Sequence, residues 1–175
     1  FIRKKIYLLT TEMYENLLTE SGFFDKIIID HKIKPINFIK YFNFINFLKK
    51  KNFQLIIDLQ NSRRTMIYCL LLRIISNINW NGTRFGATIK YKYDRKNPPH
   101  ILKGLSEQLS LLSIKDDKRP NLDWLHVNKT TLKIPEPFFI INPGCSNKHK
   151  EKKWPAKFFA EIANYLVSKK ITPVI

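Results

Sequence analysis

The loop that follows the apolar run 138–141 of this 175-residue chain is rich in lysine and contains a serine. Ser146, Lys150 and Lys152 stand between that run and Trp154-Pro155, where a helix with regularly spaced apolar residues begins. A helix N-terminus offers free N–H groups and a positive dipole end, so such a loop attracts phosphate. Donors aimed at the charge developing on a leaving diphosphate stabilise a transition state by about 3 kcal/mol each. A solvated surface loop is the alternative explanation for these lysines.

A second set of polar side chains accompanies the apolar run 53–58. Asp58, Gln60 and Arg64 could bind the hydroxyl or phosphate groups of an acceptor. Alternatively, Asp58 caps the helix that follows it, and Arg63 and Arg64 belong to the exposed side of that helix. Further along the chain, His100 is expected to cap or pack the helix that it opens rather than to transfer protons.

Strand-like and helix-like segments alternate along the chain, which predicts a parallel α/β fold. The predicted strands are 5–10, 25–30, 53–58, 78–81, 138–141 and 172–175. The predicted helices are 12–20, 62–76 and three that begin at Pro35, after Pro98-Pro99 and at Trp154-Pro155. Residues 87–97 are interpreted as irregular. In open sheets of this kind ligands bind beyond the carboxyl ends of the strands, which is where both polar sets stand.

Residues 115–137 interrupt the alternation with prolines and polar residues, which indicates a linker. The chain therefore divides into one α/β unit at 1–114 and the start of a second at 138–175. Since it begins at Phe1 and ends on an apparently unfinished strand, we expect it to be a fragment of a longer protein.

The chain carries a net charge of +17, from 31 Lys and Arg against 14 Asp and Glu. Such an excess favours an anionic partner, which means nucleic acid, an acidic membrane surface or a phosphorylated substrate. A compositional bias of the genome is the alternative. Two distant cysteines, Cys69 and Cys145, are typical of a reducing compartment and not of a disulfide framework.

The helix that begins at Pro35 is rich in phenylalanine and ends in Lys49-Lys50-Lys51. Its apolar stripe comprises Phe38, Tyr41, Phe42, Ile45 and Leu48. Packing of this stripe into the core is the simpler interpretation. The alternative is that the phenylalanines rest on an anionic bilayer, to which the lysines would be attracted.

Two motifs give the chain a family resemblance. Pro143-Gly144-Cys145-Ser146, a lysine, and then Lys153-Trp154-Pro155 before a Phe-rich helix resemble the second-domain entry of the ADP-heptose:lipopolysaccharide heptosyltransferases, glycosyltransferase family 9. Asp58-Leu59-Gln60, followed by a basic residue and a Ser or Thr, is similar to a strand-end segment of their first domain. His100 resembles the histidine that opens the last helix of that domain.

The resemblance implies a fold of the GT-B type with two Rossmann-like domains. Residues 1–114 would be the acceptor-side domain without its first strand, and 138–175 the start of the nucleotide-sugar-binding domain. It further implies inverting, metal-independent transfer of a heptose-type sugar from a nucleotide-sugar, ADP-heptose by family default, to a lipopolysaccharide core or lipid-linked acceptor. The expected location is cytoplasmic, with peripheral contact at the inner face of the cytoplasmic membrane.

The resemblance also implies roles for particular residues. Ser146 would bind the donor phosphates together with Lys150 or Lys152, a choice left open because the loop before Trp154 is longer than the family form. The catalytic base is expected upstream of Phe1, so the fragment alone is expected to be inactive. No metal ion and no cofactor is expected.

Two other functions compete with this one. A basic nucleic-acid-binding module fits the charge and the aromatic content, although no known nucleic-acid-binding motif is present. A GT-B transferase of other sugar specificity fits the motifs equally well, because nothing in them selects the sugar or the nucleotide.

Overall fold

A computed structural model describes residues 4–34, 36–94, 96–115, 121–125, 133–144 and 151–175. It divides the chain into two compact units, 1–124 and 125–175, and the division falls inside the segment interpreted as a linker. Among the described residues, no helix is both long and apolar enough to cross a membrane.

The described residues contain seven β-strands and five α-helices. The strands are β1 (Tyr7–Thr10), β2 (Lys26–Ile29), β3 (Leu55–Ile57), β4 (Asn79–Gly82), β5 (Ile89–Lys90), β6 (Phe138–Ile140) and β7 (Thr172–Val174). The helices are α1 (Glu15–Glu20), α2 (Phe38–Lys50), α3 (Arg63–Ile75), α4 (Ile101–Ser110) and α5 (Ala156–Ser168). Helices and strands thus alternate along the chain as predicted.

All strand pairs are parallel, which confirms the mixed α/β class with small parallel sheets. In the first unit, β1 pairs with β2, and β3, β4 and β5 form a second sheet in that order. In the second unit, β6 pairs with β7. The connections between paired parallel strands contain helices except between β4 and β5, where a short irregular segment suffices.

The core of the first unit lies where α2 and α3 pack together. Ile45 and Leu48 of α2 are buried in one cluster with Tyr68, Cys69 and Leu72 of α3. Burial of each such side chain stabilises the fold by roughly 1.5–3 kcal/mol. Burial also raises the pKa of the Cys69 thiol to about 11, so this cysteine acts as a small apolar core residue.

Local sequence explains where these two helices begin. Asn37 accepts a hydrogen bond from the Lys40 N–H at 3.4 Å and so caps α2. Ser62 and Thr65 form a reciprocal capping box at the start of α3. Side chains of this kind satisfy backbone N–H groups that the first turn leaves unpaired.

Two expectations about the first unit are wrong. Residues 87–97 are not wholly irregular, since β5 extends the sheet through a Tyr91 N–H to Gly82 carbonyl bond of 3.0 Å. Phe38 and Phe42 are not core residues, because the α2 stripe splits: Tyr41, Ile45 and Leu48 are buried, whereas both phenylalanines are exposed. The buried part of the stripe packs against α3, where the Tyr41 and Tyr68 rings lie 5.5 Å apart.

The second unit is a smaller assembly of β6, β7 and α5. Ile141, directly after β6, is its one buried apolar residue among the described positions. Trp154 packs ahead of α5, with its ring 5.3 Å from that of Phe158 and 5.0 Å from that of Phe159. Trp154 therefore has a structural role, because its ring packs on α5 and fixes where the chain enters the helix.

Candidate functional site

Two aspartates stand at the carboxyl ends of parallel strands in the first unit. Asp30 directly follows β2, and its N–H donates to the Thr10 carbonyl at 2.7 Å. Asp58 directly follows β3, and its N–H donates to the Asn81 carbonyl at 2.8 Å. Both side chains are buried, and each residue is 5% exposed. The strand ladders thus continue through these residues and hold two carboxylates at strand ends, where open α/β proteins bind ligands.

Arg64 joins this arrangement from the first turn of α3. Its Nε lies 3.0 Å from Asp30 Oδ2, an ion pair in which the N–H is not aligned for a hydrogen bond. Its Nη2 donates to Gln60 Oε1 at 3.3 Å. The side chain is 26% exposed, whereas Arg63 is fully on the surface. Arg63 therefore lies on the exposed side of α3, whereas Arg64 is partly buried against Asp30.

Two tyrosines complete the surroundings of Asp30. Tyr68 Oη donates to Asp30 Oδ1 at 3.0 Å, and Oδ1 also accepts the Lys32 N–H at 2.8 Å. Burial, and next to it the charge of Asp30, raises the pKa of Tyr68 well above its usual range. The same causes raise the pKa of Tyr41 to about 12. Tyr41 Oη is buried without a hydrogen-bond partner among the described residues.

Asp58 organises the loop between β3 and α3. Its Oδ1 accepts the Asn61 N–H at 2.8 Å, which closes a tight turn, while Oδ2 is buried without a partner in the described part of the chain. The cap of α3 is Ser62, so the interpretation of Asp58 as the helix N-cap is wrong. Among the three predicted acceptor-side residues, Gln60 is exposed, Arg64 is partly exposed and Asp58 is buried. Asp58 stabilises the loop that carries Gln60.

A network of buried amides fixes the same loop from the other side. Gln108 Nε2 donates to the Asp58 carbonyl at 3.0 Å and to Asn81 Oδ1 at 2.9 Å. Gln108 Oε1 accepts from Asn61 Nδ2 at 2.9 Å, and Asn61 Oδ1 accepts the Thr83 N–H at 2.6 Å. Each amide group is thereby used on both its oxygen and its nitrogen. The loop after β3 is consequently tied to β4 and to α4.

Sequence reasoning did not identify Asp30 or Gln108. A signal existed for Gln108, because it lies three residues after Leu105 and four before Leu112, on the apolar side of α4. A polar residue on an apolar helix face is expected to have buried partners. Asp30 carried only its place after an apolar strand, which Asp58 shares.

His100 caps α4. Its Nδ1 accepts the Leu102 N–H at 3.4 Å, and the residue is exposed. The expectation that this histidine caps its helix is confirmed.

The proposed donor loop is described only in part. Ser146 and Lys150 lie outside the described residues, as does Cys145. Lys152 is described and is exposed ahead of α5. Pro155, predicted as the first helical residue, occupies the N-cap position instead, so α5 begins one residue later, and Pro155 gives no side-chain cap. In the first turn of α5, the Phe158 N–H donates to the Pro155 carbonyl at 3.1 Å.

Within the described ranges, no group of three histidine, cysteine or acidic residues is placed to hold a metal ion. Comparison with protein-family models, with curated proteins and with solved structures gives no match for this chain.

Proposed function

We propose that this chain belongs to a glycosyltransferase of the GT-B type that resembles the heptosyltransferases of family 9. In this proposal the enzyme moves a heptose-type sugar, with inversion, from a nucleotide-sugar to a lipopolysaccharide-type acceptor. It works without a metal ion, at the cytoplasmic side of the membrane. ADP-heptose is the default donor of the family, and a different sugar or nucleotide is the nearest alternative.

One observation carries the proposal. Gln60 and Arg64 reach solvent at the carboxyl end of the parallel strand β3. Asp58 fixes the loop that carries them. All three residues belong to the first-domain motif on which the family resemblance rests. Ligands of open α/β proteins gather at such ends. The sequence motif and the position in the fold therefore both support an acceptor-binding site at the carboxyl end of β3.

Each residue of this acceptor side has a chemical task. The Arg64 guanidinium presents N–H donors that suit a phosphate or a sugar hydroxyl, and the exposed Gln60 amide can donate and accept. Asp30 holds the guanidinium in place through the 3.0 Å ion pair. Asp58 is a positioning residue, because its carboxylate is buried and fixes the turn.

On the donor side, Ser146 would donate a hydroxyl hydrogen bond to the diphosphate, and Lys150 or Lys152 would balance its charge. Transfer breaks the bond between the anomeric carbon and the phosphate oxygen and forms a bond from the acceptor oxygen to that carbon. The leaving diphosphate then gains negative charge, which these donors stabilise by about 3 kcal/mol each. We assign the base that removes the acceptor proton to no residue of this chain.

Titration calorimetry with a panel of donors tests the proposal without requiring turnover. ADP-heptose, other ADP-sugars, UDP-sugars and AMP are titrated into the full-length protein. Saturable binding of at least one diphosphate sugar, clearly tighter than that of AMP, is expected. Absence of saturable binding for every nucleotide-sugar overturns the proposal.

A nucleic-acid-binding module is the alternative function, and the net charge of +17 is the observation that favours it. Filter binding to generic RNA across a salt series distinguishes the two, because affinity driven by phosphate contacts falls steeply with salt. Tight RNA binding at physiological salt, together with no nucleotide-sugar binding, would replace the transferase proposal by this one.

A further inference from the structure

The N-terminal half of α2 presents large apolar side chains to solvent. Phe38 is 71% exposed, Ile39 is 74% exposed and Phe42 is 60% exposed. Ile36, just before the helix, is exposed as well. Three adjacent residues of this size are unusual on the free surface of a stable domain, and such patches mark interaction sites.

The patch continues across the neighbouring helix. Phe38, Ile39 and Phe42 border an open groove of about 540 Å³ whose far side is formed by Ile67 and Leu71 of α3. An exposed apolar residue of α3, Ile74, lies on the same helix face as Ile67 and Leu71 because of its spacing. Two helices therefore share one continuous apolar surface, which we call the α2–α3 face.

Lysines precede, interrupt and end α2, and acidic residues are missing from this part of the chain. The sequence from His31 to Gln54 contains no Asp or Glu. It contains six lysines, namely Lys32, Lys34, Lys40, Lys49, Lys50 and Lys51. A second open groove, of about 620 Å³, is lined by Phe47, Lys49 and Lys50 together with Asn43 and Asn46. Lys51 Nζ lies 4.8 Å from the centre of the Phe47 ring.

We propose that the α2–α3 face is a docking surface for an anionic lipid bilayer. Charge complementarity selects this occupant, because apolar side chains and lysines on the same helix match acyl chains beneath negatively charged headgroups. A second copy of the chain is a poor match, since a symmetric contact would bring the lysines of both copies together. The surface does not depend on the proposed enzymatic activity, although it would bring the first unit to a lipid-linked substrate.

Vesicle co-sedimentation of the 175-residue chain tests this proposal. The chain is expected to sediment with vesicles of phosphatidylcholine and phosphatidylglycerol, and not with phosphatidylcholine alone. Phe38→Ser/Phe42→Ser should weaken this partition about tenfold or more, because the variant lacks the two aromatic rings that the bilayer would bury. Lys49→Gln/Lys50→Gln should also weaken it, by about 25-fold at low salt, since each lysine near an anionic surface contributes roughly fivefold.

Matched controls lie on other surfaces. Ile101→Ser/Leu102→Ser removes two exposed apolar residues of α4, and Lys92→Gln/Lys96→Gln removes two exposed lysines. Both controls are expected to sediment like the wild type. Equal losses in the control variants would show non-specific attraction of a basic protein and overturn the proposal. Unchanged partition of Phe38→Ser/Phe42→Ser, or a lipid-free dimer that this variant dissociates, would also overturn it.

Discussion

Arg64 Nε lies 3.0 Å from Asp30 Oδ2 and so links the helix that follows β3 to the residue that follows β2. These two strands belong to different sheets of the first unit. The ion pair therefore connects two sheets that share no strand pairing. The groups proposed to meet an acceptor are held at this junction.

Replacement of Arg64 by alanine should destabilise the first unit by about 2–3 kcal/mol, because it leaves the buried Asp30 carboxylate without its cation. The partial exposure of the guanidinium keeps the cost below the roughly 3–5 kcal/mol of a fully buried pair. Urea denaturation followed by circular dichroism measures the change. Arg63→Ala is the matched control, and it should shift the free energy of unfolding by less than about 0.5 kcal/mol. Equal effects of the two variants would mean that the ion pair contributes nothing.

Gln108 should behave as a structural residue despite its polar side chain. Gln108→Ala removes three hydrogen bonds and leaves Asn61 and Asn81 with buried unpaired groups, so we expect a loss of about 3 kcal/mol. Gln54, an exposed glutamine, provides the control variant Gln54→Ala. The free energies of unfolding of Gln108→Ala and Gln54→Ala, measured in urea, should differ by about 3 kcal/mol. A Gln108 variant as stable as the control would show that the amide network is not formed.

The two buried tyrosines should respond differently to loss of their hydroxyl groups. Tyr68→Phe removes the 3.0 Å bond to Asp30 and should cost about 1–2 kcal/mol at pH 7. Tyr41→Phe removes a hydroxyl without a described partner and should leave stability unchanged or raise it. Thermal unfolding of the two variants beside the wild type makes the comparison. The opposite order would show that Tyr41, and not Tyr68, contacts Asp30.

Stability should fall at alkaline pH through these same residues. Burial raises the pKa of Tyr41 from 10.0 to about 12, and that of Tyr68 is also raised. In the unfolded chain both hydroxyls ionise near pH 10, whereas in the fold they keep their protons, so the unfolded state binds fewer protons above that pH. Their contribution is complete below pH 10 and is lost as pH rises towards 12. Unfolding followed from pH 8 to pH 11 should show this loss, reduced in Tyr41→Phe; an identical profile in that variant would contradict the assignment.

Apolar runs and helical spacing predict the alternation of strands and helices, because burial between parallel strands and helices imposes those patterns directly. They do not predict β5, which is only two residues long. The Asn81 side chain holds that strand by donating to the Ile89 carbonyl at 3.2 Å. A contact between residues eight positions apart leaves no periodic trace in the sequence.

The polar residues of the candidate site could likewise be predicted from the sequence only in part. Asp58, Gln60 and Arg64 stand out in sequence because they follow an apolar strand within one short segment. Asp30 belongs to the same cluster only through the fold, which brings it to Arg64 across 34 positions. The exposure of Phe38 and Phe42 is likewise a property of packing, since helical spacing alone does not tell which apolar residues of α2 the core covers.

The central claim is that a lysine-bearing loop ahead of α5 binds the diphosphate of a sugar donor. Calorimetric titration of a nucleoside diphosphate sugar into loop variants of the full-length protein tests it most directly. Lys150→Ala, Lys152→Ala and Ser146→Ala are compared with Lys133→Ala, an exposed lysine of the same unit. At least one of the two loop lysine variants should weaken binding about tenfold, because a hydrogen bond to a charged group contributes about 1.5–3 kcal/mol. Lys133→Ala should bind like the wild type. Wild-type affinity in both loop lysine variants would contradict the claim.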